Sequence, residues 1–186
     1  MDPACTARPK PAAATPPSAW VRRWAALAPA GGTVLDVACG WGRHLRWFVD
    51  AGFAGTGVDR DTSMVDDLAD RAEILRHDLE DGSPWPFAGR AFDVVVVTNY
   101  LHRPLFPALE EAVAPGGVLL YETFMRGNEA YGRPRNPDHL LGPGELLTAF
   151  PALQIVAFEQ GRVETCGTGV VQRVACVRAA EPVALV

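Results

Sequence analysis

The chain has 186 residues, 48% of them hydrophobic and 21% charged, with a formal net charge of −5. That length fits one domain with a sizeable core. The lack of any lysine or arginine run argues against holding nucleic acid by bulk charge attraction, so charge does not point to nucleic acid as a partner. No apolar run is long enough to cross a bilayer, and the first residues lack the apolar core of a signal peptide, so a cytoplasmic protein is expected. Cys5, Cys39, Cys166 and Cys176 show neither a CxxC pair nor metal-ligand spacing with histidine, and no metal site is expected.

Residues 1–17 are rich in proline and alanine and read as a disordered tail. One domain is expected over 18–178, followed by a short tail over 179–186. Ser18 is placed to cap a helix with Trp20, Val21, Trp24 and Leu27 on one side, ended by Pro29 and the Gly31-Gly32 pair. Strands and helices then alternate. Strands are predicted over 33–36, 56–59, 73–76, 92–97 and 118–123. Helices are predicted over 43–51, after the cap Asp61 (with Met64, Val65 and Leu68 on one face), around 105–113, and over 144–150. Two closing strands, 153–158 and 170–177, have only a loop between them, which predicts an antiparallel hairpin at one edge. The pattern predicts an α/β fold: a seven-stranded, mostly parallel, Rossmann-like sheet with helices on both faces.

The chemistry-bearing segment is VLDVACGWGRHL, residues 34–45. An apolar strand runs into Asp36, then Ala38, Gly40 and Gly42, then a helix. Small residues let backbone approach a ligand, and the helix start offers free N–H groups. Ligands of open α/β sheets bind outside the carboxyl ends of the strands, where this turn lies. The nicotinamide fingerprint GxGxxG is not met, because counting from Gly40 its third glycine place holds Leu45. The second signal is Asp59, ending GTGVD, whose carboxylate can accept two hydrogen bonds from a ribose diol. The third is HDLEDGSPWPF, residues 77–87, where Asp78 and Leu79 join a polar group to an apolar surface.

With these three signals in this order, the sequence resembles the class I S-adenosylmethionine-dependent methyltransferases over 18–178. The resemblance implies that S-adenosylmethionine is held by Asp36, Ala38, Gly40 and Gly42, by Asp59 with Arg60, and by Asp78 with Leu79. Thr98 and Asn99 would lie beside the methyl group, with Tyr100 on the acceptor side. Among small members the chain looks most like the tellurite-resistance methyltransferase group. That group carries a histidine followed by arginine near the final hairpin; the comparable stretch here, 159–167, has Arg162 but no histidine.

His102, just past the fourth strand, is the candidate general base, set against a plain role at a helix start or loop carbonyl. Glu122, at the end of the fifth strand, is expected to point toward the cleft, set against the role of a half-buried carboxylate pinning a loop. No NPPY-like tetrapeptide stands at 98–101. Segment 125–142 is too long for an ordinary connection, and it is expected to be a lid lining the substrate pocket. Tyr131, Leu140 and Leu141 would dock it, and Arg126, Arg133 and Arg135 would suit an anionic acceptor. The leading reading is methyl transfer to a small molecule. The alternatives are an RNA or protein methyltransferase and a non-catalytic cofactor-binding protein. The oligomeric state is left open.

Overall fold

The computed structural model describes residues 15–164 and 168–184. Most of the expected tail at 1–17, with Cys5, lies outside the described residues, as do Cys166 and the last two residues of the chain.

All seven predicted strands form, as β1 (Thr33–Val37), β2 (Ala54–Asp59), β3 (Ala72–Arg76), β4 (Phe92–Thr98), β5 (Val113–Phe124), β6 (Gln154–Val163) and β7 (Gly169–Val177). The sheet order is β3-β2-β1-β4-β5-β7-β6. Neighbours from β3 to β5 pair in parallel, whereas β7 runs antiparallel to both β5 and β6. The central strands are buried on both faces, as their valine and leucine runs dictate. β5 begins earlier than predicted, through the Pro115-Gly116-Gly117 turn. A side chain at Gly117 would meet the carbonyl oxygens of Phe92 and Ala114 at 2.9 Å, so only glycine fits there.

Helix α1 (Ala19–Trp24) starts as expected, with the Ser18 hydroxyl accepting the Trp20 N–H at 3.1 Å. It packs Trp20, Val21 and Trp24 with Phe48 of α2 (Arg43–Asp50) against Val94, Val96, Val118 and Leu120 on one face of the sheet. The other face is covered by α3 (Phe106–Glu111) and by irregular chain carrying Phe87, Leu101, Leu146 and Phe150.

Two predicted helices shrink to single 3-10 turns. After β2 only Asp66–Leu68 winds. Asp61 instead receives the Ser63 N–H at 3.1 Å, and Arg46 of α2 takes the Met64 carbonyl at 3.0 Å while pairing with Asp67. Aspartates favour such local bonds over helix interiors. After the long segment only Glu145–Leu147 winds. There the N–H groups of Leu146 and Gly144 are taken by Gln172 at 2.6 Å and Gln160 at 2.9 Å, side chains of the closing hairpin that local sequence does not reveal.

Candidate active site

The carboxyl ends of β1, β2 and β4 lie side by side, with Val37 in register with both Val58 and Val97. From β1 the chain turns through Ala38 (φ 53), Gly40 (φ 53) and Gly42 (φ 67) into α2, all three in the left-handed region. Gly42 caps the helix, and a side chain there would meet Val65 at 2.6 Å, so its glycine serves packing. Gly40 differs: a Cβ there would meet nothing within 4 Å, which leaves its backbone facing open space that a ligand can occupy.

Asp36 is buried and accepts the Leu45 N–H at 3.0 Å, tying the strand end to the first turn of α2. Burial raises its pKa to about 7, against the pull of the Leu45 hydrogen bond and the Arg43 charge. Burial, reinforced by Asp36 and Asp59, likewise holds the Cys39 thiol well above its ordinary range, so Cys39 is no nucleophile. Asp59 spans the turn: its carboxylate accepts the Gly40 N–H at 2.8 Å and the Asp61 N–H at 3.0 Å. Lone pairs remain on both oxygens for a diol.

Arg60 is exposed, and its carbonyl receives the Arg76 guanidinium at 3.2 Å. Asp78 is exposed and accepts the Glu80 N–H at 3.0 Å, while Leu79 is half-buried against the core. Asn99 adopts a left-handed φ of 56° and donates its N–H to the Glu122 carbonyl at 2.9 Å. Tyr100 is half-buried, and its hydroxyl is buried beside Glu80. Burial raises its pKa, and Glu80, Asp78 and Asp59 add to the shift through their charge. His102 is half-buried; its ring has no hydrogen bond among the described residues and does not cap the 3-10 turn Arg103–Leu105.

The sequence did not single out a polar chain beside the site. His44 is buried, and its Nε2 accepts the Ser18 N–H at 3.1 Å. That leaves the proton on Nδ1, 3.3 Å from the Thr98 hydroxyl. Burial, then the Arg43 charge, lowers the His44 pKa to about 3, so the ring is neutral. The Ser18 hydroxyl donates to Glu122 at 2.9 Å, and Arg173 donates to the other Glu122 oxygen at 3.1 Å and to Glu159 at 2.6 Å. Glu122 is therefore tied down between α1 and β7 instead of pointing freely into the cleft; Arg173 neutralises it there. The HL pair after Gly42-Arg43 was the available signal, read only as helix.

Segment 125–142 is strapped at its base. Met125 bridges Leu141, and Arg103 donates to the carbonyls of Asp138 at 2.9 Å and Leu140 at 3.0 Å while pairing with Glu145. Leu140 and Leu141 are buried as expected, but Tyr131 is 48% exposed and does not dock, because buried Asn128 organises that turn through Pro134 and Val170. Arg126, Arg133 and Arg135 are exposed. The segment thus flanks the chain that leaves β4 through His102.

A concavity of about 450 Å³ lined by Thr33, Gly55, Thr56, Glu73 and Arg90 opens at the amino ends of the strands, opposite the site. Among the described residues no cluster of metal-ligating side chains occurs, and no helix is long and apolar enough to cross a membrane.

Residues 34–117 match the family of the methyltransferase domain. No curated protein matches the chain. Among solved structures, TehB from Haemophilus influenzae superposes with a TM-score of 0.69 at 15% identity over 86% of this chain; the match spans 61% of TehB. A SAM-dependent methyltransferase from Methanosarcina mazei gives 0.66 at 16% identity, covering 90% of this chain and all of that one. The glycopeptide N-methyltransferase MtfA, complexed with S-adenosyl-L-homocysteine, gives 0.60 at 20% identity over 84% of this chain and 87% of its own. The family match takes in the Asp36 to Asp59 unit, so residues 34–117 are similar to the methyltransferase domain, and the sheet order is in keeping with the fold of these S-adenosylmethionine-dependent methyltransferases.

Proposed function

We propose that the chain methylates a small-molecule nucleophile by in-line displacement at the sulfonium of S-adenosylmethionine. The observation that carries this reading is the Asp59 carboxylate bonded to the Gly40 N–H, beside the open space over Gly40. Such an arrangement suits a nucleoside ribose at Asp59 and the methionine end along residues 38–42. Bound there, the cofactor would supply an electrophilic methyl group. The chain's own part is to orient and to exclude water, and orientation of reacting groups is worth ~7–11 kcal/mol when near-attack geometry is reached. Thr98 ends β4 and Asn99 follows it, and both would border the methyl group. His102, with no hydrogen bond to its ring, is free to take the acceptor's proton. Net charge of −5 and the absence of a basic run favour a small acceptor over a polyanion. The exposed Arg126, Arg133 and Arg135 favour an anionic one, with 125–142 as a cover over the pocket.

Calorimetric titration with S-adenosylhomocysteine tests the assignment. Wild-type protein should bind, and Asp59→Ala should weaken binding by ~1.5–3 kcal/mol, the worth of a hydrogen bond to a charged acceptor. Folded wild-type protein that gives no binding heat, by titration at two temperatures, would refute the reading.

A further inference from the structure

One buried ring fastens α1 to the turn that leaves β1. The helix is only six residues long, too short to persist without tertiary contacts. Trp20, Val21 and Trp24 pack it on the sheet, but the Trp24 indole N–H is buried with no hydrogen-bond partner among the described residues, so docking carries a desolvation cost. The start of the helix is held by polar contacts instead. The Ser18 N–H donates to His44 Nε2 at 3.1 Å, and the Ser18 hydroxyl donates to Glu122 at 2.9 Å. His44 stands two positions after Gly42, in the first turn of α2, and its Nδ1 meets the Thr98 hydroxyl at 3.3 Å. The ring thus joins the start of α1, the turn from β1 and the end of β4 at a single point. It is only 2% exposed, and its Nε2 is satisfied by Ser18, so opening of α1 disturbs the turn on which the ring stands.

We propose that His44 is a positioning residue that couples docking of α1 to occupancy of the cofactor turn. A bound cofactor then holds the helix down, and a loosened helix weakens cofactor binding by the same factor. The inference rests on the cofactor assignment above and adds a means of regulating that site from a helix outside it. The worth of one hydrogen bond sets the coupling at about threefold to tenfold.

The test is hydrogen exchange of amides 18–24 in the full chain, with and without saturating S-adenosylhomocysteine. In wild type the ligand should slow these amides about threefold to tenfold, and more than it slows α3 on the opposite face of the sheet. His44→Phe keeps a ring and removes both of its hydrogen bonds, so there the slowing should vanish. Ser18→Ala loses the bond to Glu122 but keeps the N–H that His44 accepts, so there the slowing should remain. If His44→Phe does not fold, Ser18→Pro takes its place, because proline fits the φ of −51° at that position and lacks the donated N–H. No slowing in α1, equal slowing in α1 and α3, slowing that survives loss of the His44 bond, or slowing lost in Ser18→Ala would each overturn the inference and leave the cofactor assignment standing. Wild-type protein that binds no S-adenosylhomocysteine would overturn both.

Discussion

Asp36 and His44, two buried groups around the start of α2, titrate in opposite senses, and their opposition gives the ligand-free protein a specific stability profile. Asp36 has its folded-state pKa raised by burial from 3.8 to about 7. Between those values the folded chain holds a proton that the unfolded chain has released, so the stabilisation is full below about pH 4 and lost as pH rises through 7. At ~1.36 kcal/mol per unit the total is about 4 kcal/mol. His44 has its pKa lowered from 6.5 to about 3, by burial first and the Arg43 charge second. Its contribution is present above pH 6.5 and lost as pH falls toward 3, about 5 kcal/mol in all. Across roughly pH 4 to 6.5 the two slopes cancel in the wild type. Asp36→Asn keeps an oxygen for the Leu45 N–H and removes one slope. Its stability relative to wild type should therefore rise by about 4 kcal/mol between pH 4 and pH 8. His44→Asn should give the mirror image, with stability falling as pH rises. Urea unfolding at half-unit pH steps reads both directly. Profiles of Asp36→Asn and wild type that run parallel across the whole range would refute the reasoning.

Gly40→Ala and Gly42→Ala should separate ligand space from packing. Both residues have positive φ, but only Gly42 meets a neighbour, so Gly42→Ala should lose about 2–4 kcal/mol of stability while Gly40→Ala loses about 1–2 and chiefly weakens S-adenosylhomocysteine binding; thermal melts and titration of both variants check this. Once an acceptor is found, His102→Ala should cut turnover about 10²–10⁴-fold with cofactor affinity and melting temperature unchanged, as measured by steady-state rates. Arg103→Ala should release the strap on Asp138 and Leu140, so that limited proteolysis cuts within 125–142 faster than in wild type, and cofactor with an acceptor analogue should slow cleavage of the wild-type segment.

The strands were legible where an apolar run is closed by a turn residue: valines 94–97 admit little else, and Asp59 ends β2. The turn from β1 and the end of β2, where the cofactor contacts are proposed, were legible as local features. The helix at 61–68 failed because a distant side chain, Arg46, claimed the Met64 carbonyl a helix would have used. At 144–150 Leu147 and Thr148 bond three residues back, while Gln160 and Gln172 of the closing hairpin hold the first N–H groups. The chain from Thr98 through His44 and Ser18 to Glu122 was equally hidden. Its bonds join residues 54, 26 and 104 positions apart, and no periodicity carries such information.

The sheet order has a consequence for how the chain is made. β7, made after the other six strands of this sheet, pairs between β5 and β6, so β6 has no place in the sheet until β7 arrives. The same strand also receives the first helix: the Trp20 indole N–H donates to the Val174 carbonyl at 3.3 Å, across 154 residues. A nascent chain stalled before residue 169 would therefore present the twelve-residue β5 as an open apolar edge, with α1 deprived of its last partner. Closure of this sheet waits on β7, which makes loss of Gly169–Val177 an aggregation hazard.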